Sequence, residues 1–188
     1  MMFISGVLRF LFYKYQAICS ILRVASLNTL YPGARIDYKT NIASNCSIVC
    51  VKGGKLDISN CSIKAGTQIF ADKNSIISIK DSFIGRNCVI AAKENITIKK
   101  GCLIAEMVVI RDQDHLLNAS QQESREDKFI TAPICIEENV WLASKTTILK
   151  GVTVGAYVVT AASAVVNTNI PAKQLWGGIP AKFIKQLT

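Results

Sequence analysis

The chain has 188 residues, half of them apolar, with 22 lysine and arginine residues against 13 aspartate and glutamate residues. This length and composition suit one compact domain with an extensive core and argue against two domains. The only histidine, His115, excludes a zinc site built from three imidazoles of one subunit, and we expect no bound metal. The excess of cations is compatible with a nucleic acid, a membrane surface or a phosphorylated small molecule as partner.

Residues 1–33 are a distinct apolar segment without a single acidic residue. On a helical wheel the polar residues share one narrow sector and leave a broad apolar face, which predicts one helix or two short ones. Arg9, Lys14 and Arg23 interrupt the apolar run, which disfavours a transmembrane span. Three alternatives stay open for this helix: packing on the protein or its neighbour, lying in a membrane interface, and spanning the membrane.

The seven cysteines include no Cys-x-x-Cys pair and lie mostly in apolar runs, so we expect buried free thiols. The apolar start carries Arg9 and Lys14, and no small-residue cleavage site follows it. We therefore expect no signal peptide and a cytoplasmic protein, with peripheral contact at the inner face of the cytoplasmic membrane through residues 1–31 as an option.

From residue 34 onward a short pattern recurs six times, in the order apolar, polar, apolar, three or four mostly polar residues, apolar, small. The copies begin at Ala34, Leu56, Ile77, Ile96, Ile134 and Val152. An aliphatic residue also returns at every sixth position, for example at Ile136, Leu142 and Ile148. This period does not fit an amphipathic helix, whose apolar stripe recurs at three and four residues. It predicts a triangular β-solenoid of six coils, in which each hexad supplies one strand and one corner.

Small residues and insertions add detail to the predicted solenoid. We expect small residues to ease its corners, at Gly85, Ala91, Ala105, Ala143, Gly155 and Ala161. Polar insertions about one coil apart should bulge from one corner, at 52–55, 72–74 and 93–95. The largest insertion, residues 111–133, is long enough to be a functional loop. It contains His115, which Asp112 and Asp114 flank closely enough in sequence to orient the imidazole or raise its basicity, unless the side chain is simply solvated.

Four motifs stand in order near the C-terminus, at 139–144, 148–155, 161–166 and 176–182. Together they resemble the hexapeptide-repeat acyltransferases, enzymes that move an acetyl group from acetyl-CoA to a hydroxyl or an amine. Within that family the likeness is greatest to sugar O-acetyltransferases of bacterial surface polysaccharides. The resemblance implies an all-β, left-handed parallel β-helix over residues 34–185, with an N-terminal helical segment, a catalytic loop at 111–133 and a C-terminal tail.

The resemblance also implies roles for individual residues. His115 is the expected general base, and acetyl-CoA is the expected co-substrate. The residues expected to line the CoA site are Ala143, Ser144, Ala161, Ala162, Asn167, Thr168, Lys182 and Lys185. Asn167 and Thr168 replace a Thr-Lys pair of the family, which removes one cation. Trp141 and Asp114 are assigned to the acceptor side, where Gly85 stands in place of an asparagine that holds the acceptor in some relatives.

The function implied by the resemblance is acetyl transfer from acetyl-CoA to a sugar hydroxyl of O-antigen, capsule or a lipid-linked precursor. A homotrimer is expected, with His115 of one subunit facing the CoA wall of the next. N-acetylation of an amino sugar nucleotide, acetylation of an antibiotic and a non-catalytic β-helix are the alternatives. The single histidine excludes a zinc carbonic anhydrase on this fold. Sparse aromatic residues after residue 34 argue against nucleic-acid binding.

Overall fold

The computed structural model describes residues 2–116 and 128–188. One helix, α1 (Met2–Leu30), precedes a series of short strands. In chain order the strands are β1 (Ala34–Ile36), β2 (Asn41–Ile42), β3 (Ser47–Cys50), β4 (Lys55–Ser59), β5 (Ser62–Ile63), β6 (Gln68–Ala71), β7 (Ile76–Lys80), β8 (Phe83–Ile84), β9 (Val89–Ala92), β10 (Asn95–Ile98), β11 (Leu103–Ile104), β12 (Val109–Arg111), β13 (Gln113–His115), β14 (Phe129–Thr131), β15 (Ile134–Ile136), β16 (Trp141–Leu142), β17 (Thr147–Ile148), β18 (Thr153–Val154), β19 (Val159–Thr160), β20 (Val165–Val166), β21 (Gln174–Gly178) and β22 (Ala181–Gln186).

Equivalent strands of successive coils stack in parallel and form the three walls of a prism. Sheet A contains β1, β4, β7, β10, β15 and β18; sheet B contains β2, β5, β8, β11, β16 and β19; sheet C contains β3, β6, β9, β12, β17 and β20. β21 and β22 extend sheet B as a terminal hairpin. The repeat starts lie in register, since Ala34 pairs with Leu56, Leu56 with Ile77 and Ile77 with Ile96. The predicted parallel β-solenoid of six coils is therefore confirmed.

The aliphatic residues of the hexads fill the prism. Ile136, Leu142 and Ile148 have no exposed surface, and the equivalent residues of the other coils are equally buried. Branched side chains stacked in this way make a thin core without many aromatic residues. The cysteines are free, as predicted, and four of the seven are buried. Burial raises the pKa of Cys61 to about 11, so its thiol stays protonated and donates to the Ser59 carbonyl at 3.1 Å.

The insertions all leave the solenoid at one corner, between a strand of sheet C and the next strand of sheet A. Residues 52–55 begin there in the first coil, and 72–74 and 93–95 follow in the next two. Residues 112–116 and 128–133 lie at the same corner, between β12 and β15. The common exit predicted from the sequence is thus confirmed. Ala91 differs from its prediction as a corner residue, because it lies within β9 in register with Phe70 and Arg111.

The C-terminal half of α1 caps the first coil. The Ser20 hydroxyl accepts the Ile42 N–H at 2.8 Å, and the Asn28 amide pairs with both the N–H and the carbonyl of Ile36 at 2.9 Å. Arg23 donates to the Ile42 carbonyl at 2.9 Å. These side chains satisfy backbone groups at the open edge of the solenoid, where a further strand would otherwise pair.

The preceding turns of α1 leave the solenoid surface. Every side chain from Leu8 to Tyr15 is exposed, including Phe10, Phe12 and Tyr13. Within the described part of the chain, no helix has the length and apolar character required to cross a membrane.

Candidate active site

The long insertion leaves and rejoins the solenoid as an antiparallel hairpin of β13 and β14. His115 lies directly opposite Phe129, and the centroids of the two rings are 4.5 Å apart at an interplanar angle of 44°. The Leu116 N–H donates to the Lys128 carbonyl at 2.9 Å and extends the pairing beyond the strands. The hairpin thus holds the only histidine of the chain against an aromatic ring, with the imidazole itself exposed.

Asp112 ties the foot of this hairpin to the preceding coil. Its side chain is fully buried, and its carboxylate accepts the backbone N–H groups of Lys93, Glu94 and Asn95, each at 2.8 Å. Its own carbonyl accepts the Ala132 N–H at 3.0 Å, so Asp112 binds both the incoming and the outgoing chain. Insertion 93–95 therefore serves as the anchor for the hairpin that carries His115.

Asp114 projects away from His115 and forms an ion pair with Lys150 of the fifth coil. Successive side chains of a strand point to opposite faces, so Gln113 and His115 share one face of β13 while Asp114 takes the other. Within residues 2–116 and 128–188, neither Asp112 nor Asp114 donates to or accepts from the imidazole. The expectation that these carboxylates orient His115 is wrong, because Asp112 binds the backbone of residues 93–95 and Asp114, on the other face of β13, binds Lys150.

The shared face of β13 borders a hollow of about 390 Å³ on the outer surface of sheet C. We name it the sheet C hollow; its lining includes Gln68, Phe70, Ala91, Arg111, Gln113 and His115. Phe129 and Lys93 close its rim, with the Lys93 Nζ 3.8 Å from the Phe129 ring centroid. Its volume falls within the range of roughly 300 to 1,000 Å³ that is usual for small-molecule sites.

Lys93 also forms an ion pair with Asp72. Partial burial alone would raise the pKa of the Asp72 carboxyl, but the hydrogen bond and charge of Lys93 outweigh this and lower it. Asp72 is therefore ionised at neutral pH and compensates the charge of Lys93. Arg111 forms no ion pair with any residue in the described ranges, so it supplies the surplus positive charge of the hollow.

A second surface consists of small residues at the corner that follows sheet B. We name it the small-residue wall; successive coils place its members in one column, Gly85, Ala105, Ala143, Ala161 and Gly177. The packing is tight, since a Cβ on Gly177 would lie 2.9 Å from the Cβ of Ala161. Ser144 and Ala162 lie next to this column, Ser144 half-buried and Ala162 exposed. In the last coils Ala143, Ala161 and Gly177 are each half-buried, so part of this column faces solvent.

The remaining predicted residues lie in three places. Lys182 and Lys185 are exposed on β22, and Lys182 pairs with Gly177 of the wall. Asn167 and Thr168 are exposed directly after β20, at the opposite edge of sheet C from the wall. Trp141 is 49% exposed on the outer face of sheet B. The structure thus gathers Ala143, Ala161 and Lys182 near one corner, whereas the hairpin of His115 rises from the other edge of sheet C.

Within the described residues, no three His, Cys, Asp or Glu side chains converge as they would around a metal ion. Sequence reasoning missed Arg111, Gln113 and Phe129 as residues of the site. A signal for Arg111 existed, because Val49, Phe70, Ala91 and Arg111 follow one another at 21, 21 and 20 residues, the length of one coil.

Comparisons with known proteins agree with this architecture. The chain is 31% identical over 129 residues to the "Putative lipopolysaccharide biosynthesis O-acetyl transferase WbbJ" of Escherichia coli, a match that covers 64% of this chain and 66% of the relative. A hexapeptide-repeat acetyltransferase of Vibrio cholerae, solved with acetyl-CoA, superposes with a TM-score of 0.57 at 26% identity, covering 93% of this chain and 86% of the other. The Bacillus cereus N-acyltransferase AntD shares the fold at a TM-score of 0.72 and 16% identity, over 87% and 89% of the two chains.

No protein-family model matches the chain. The matches to the first curated relatives span between 40% and 66% of the lengths of those proteins.

Proposed function

Because the chain belongs to the hexapeptide-repeat acyltransferases, we propose that it transfers an acetyl group from acetyl-CoA to a sugar hydroxyl, with His115 as general base. The observation that carries this proposal is the position of His115, held by a hairpin at the rim of the sheet C hollow. A catalytic base must lie within reach of the proton that it removes, and the hollow brings an acceptor to that side of the imidazole.

The reaction needs no covalent enzyme intermediate. An unprotonated imidazole nitrogen of His115 takes the hydroxyl proton as the acceptor oxygen attacks the thioester carbonyl. The tetrahedral intermediate then collapses, its C–S bond breaks, and the thiolate of CoA receives the proton from the imidazolium. The hairpin and its Asp112 anchor contribute by holding the base in place, since orientation accounts for much of the rate gain in such transfers.

We assign the pantetheine arm of acetyl-CoA to the small-residue wall, beside Ser144 and Ala162. Small side chains at Ala143 and Ala161 let a narrow ligand approach the backbone, although the N–H groups of these two residues already donate within the solenoid, to the Thr160 hydroxyl and the Trp176 carbonyl. Lys182 and Lys185, exposed beside the wall, are positioned to attract the phosphates of CoA, whereas Asn167 and Thr168 lie at the other edge of sheet C. The acetyl-CoA bound to the Vibrio cholerae relative supports this co-substrate.

A trimer completes the site in this proposal. Within one chain, His115 and the small-residue wall belong to opposite edges of sheet C, so a neighbouring subunit is needed to face one with the other. Sheet B offers a surface for that neighbour, since its outer face carries an aligned apolar row: Phe83, Leu103, Trp141, Val159 and Leu175. Phe83, Leu103 and Trp141 are 37 to 53% exposed. We expect Trp141→Glu to dissociate the assembly in sedimentation, whereas wild-type activity in a monomer would contradict the trimer.

The exposed turns of α1 fit the surface of an anionic membrane on its cytoplasmic side, where lipid-linked glycans would be reached. Leu8 to Tyr15 combine aromatic and aliphatic side chains with Arg9 and Lys14, and α1 contains no acid. Binding to anionic liposomes should therefore weaken as salt is added. Removal of residues 1–18 should abolish flotation with liposomes and retain the cap made by Ser20, Arg23 and Asn28. Unchanged flotation, or a change in oligomeric state instead, would assign these turns to another role.

The proposed activity is tested by thiol release from acetyl-CoA against a panel of sugars, sugar nucleotides and lipid-linked saccharides. Release that depends on a hydroxyl-bearing sugar supports O-acetylation. Release only with an amino sugar would assign N-acylation, the reaction named for AntD, whose fold this chain shares. No release with any acceptor, despite acetyl-CoA binding, would contradict the transferase activity.

A further inference from the structure

The sheet C hollow owes its shape to one row of outward-facing side chains. Val49, Phe70, Ala91 and Arg111 occupy the same register position in four successive coils. Ala91 lies between the two largest members, Phe70 and Arg111, and this small residue, 7% exposed, lines the floor of the space between them. The hairpin then rises over this space and places Gln113 on the same face as His115.

One polar atom in the hollow lacks a partner. The side-chain oxygen of Gln113 is buried and accepts no hydrogen bond from any residue in the ranges 2–116 and 128–188. A buried acceptor of this kind is destabilising unless a donor reaches it. The hollow is also lined by Phe70, which is 38% exposed and whose apolar ring face suits the C–H face of a pyranose ring. A sugar supplies both complements, because one face of its ring presents C–H groups and its hydroxyls donate.

The net charge of the side chains around the hollow favours a sugar that carries a negative group. Lys93 is compensated by Asp72, so Arg111 leaves one net positive charge on these three groups. A guanidinium presents a planar set of donors that matches two oxygens of a phosphate or a carboxylate. Arg111 lies at the end of β12, two residues before Gln113, so a group bound to it keeps the sugar ring beside the hairpin.

We propose that the sheet C hollow is the acceptor subsite and that Arg111 makes it selective for a sugar carrying a negative charge. This inference rests on the proposed acetyl transfer. The charged group is a phosphate on the anomeric oxygen, as in a sugar nucleotide or a lipid-linked sugar, or the carboxylate of an acidic sugar. In either case the ring lies over Ala91, with a hydroxyl toward Gln113 and another toward His115.

Calorimetric binding to the full-length protein, with CoA present, tests the subsite without relying on turnover. The probes are 1-phosphates of glucose, galactose and N-acetylglucosamine, together with glucuronate, galacturonate and the methyl glycosides of the three neutral sugars. We expect at least one anionic probe to bind about tenfold or more tightly than its neutral counterpart, the scale of one charge-assisted contact. A preference for the 1-phosphates identifies a phosphate-linked acceptor, and a preference for the uronates identifies an acidic sugar.

Two kinds of variant test the charge of Arg111 and the shape of the hollow separately. Arg111→Gln should remove the preference for the anionic probe, Arg111→Lys should retain part of it, and Ala91→Leu should weaken every probe by filling the hollow. Arg35→Gln, on the outer face of sheet A, is the matched control and should change nothing. Thermal unfolding shows that each variant is folded; if Arg111→Gln does not fold, Arg111→Lys and Ala91→Leu decide the outcome.

The proposal is overturned if neutral and anionic probes bind equally to the wild type, if none binds, or if Arg111→Gln retains the preference. Its failure is distinguishable from failure of the proposed function. Transfer from acetyl-CoA to neutral sugars alone would leave the acetyltransferase activity intact and remove only the charge selectivity. Absence of transfer to every sugar would instead contradict the activity itself.

Discussion

The first four coils and the last two are built from the same repeat but differ in regularity. The early copies begin 22, 21 and 19 residues apart, and their extra residues leave at one corner. The last two begin 18 residues apart, which is three hexads without an insertion. The early coils accordingly carry the hollow and the hairpin on their surface, whereas the late coils have no insertion and continue the small-residue wall that begins at Gly85 in the third coil.

In the proposed function, this difference lets one repeat serve two substrates. A regular stack of short coils repeats the same backbone groups at a constant spacing, which suits the long, uniform arm of a co-substrate. An acceptor sugar needs several different side chains around one ring, and inserted residues supply them. Insertion 93–95 illustrates the point, because its backbone N–H groups hold Asp112 at the foot of the hairpin.

The largest effect on turnover should come from His115, which the hairpin holds at the rim of the sheet C hollow. We expect His115→Ala to lower turnover at least about a hundredfold while acetyl-CoA binding stays nearly unchanged, because a general base acts mainly in the transition state. Steady-state kinetics combined with calorimetric acetyl-CoA binding measures both quantities. Near-normal turnover in this variant would remove His115 from the chemistry.

Some features of this structure were predictable from the sequence and others were not. The solenoid was predictable because burial imposes a six-residue period that is visible at Ile136, Leu142 and Ile148. The partners of Asp112 and Asp114 were not predictable, because they lie 17 to 19 and 36 residues away along the chain, in the preceding and the following coil. The hollow was not predictable either, since it arises from register across four coils, although the constant spacing from Val49 to Arg111 contained the information.

A second prediction concerns the joint between the hairpin and the coils. Asp112→Ala should lower the free energy of unfolding by about 2 to 3 kcal/mol, because three backbone N–H groups lose a charged acceptor. Asp112→Asn retains one acceptor oxygen and should cost less. The measurement is chemical denaturation, with Asp57→Ala on the exposed face of sheet A as control. Equal stability of Asp112→Ala and the control would show that the carboxylate does not hold the hairpin.

The smallest effect should come from the ion pair between Asp114 and Lys150, which links the hairpin to the fifth coil. Asp114 is 53% exposed at its side chain, so water and salt screen the pair. We expect a coupling energy of less than about 1 kcal/mol in a double-mutant cycle of Asp114→Asn and Lys150→Gln. A coupling as large as the loss in Asp112→Ala would mean that the late coils, too, hold the hairpin.

The central claim, that early and late coils bind different substrates, is tested most directly by adding the same bulk to each. Ala91→Leu fills the sheet C hollow, whereas Ala162→Leu places a larger side chain at an exposed position beside the small-residue wall. The Michaelis constants for the acceptor and for acetyl-CoA are measured for each variant, and each variant should change a different one of the two. We predict that Ala91→Leu raises the constant for the acceptor alone and Ala162→Leu raises the constant for acetyl-CoA alone, each about tenfold, which corresponds to about 1.4 kcal/mol. If both variants raise the same constant, or each raises both equally, the division of the solenoid between two substrates is wrong.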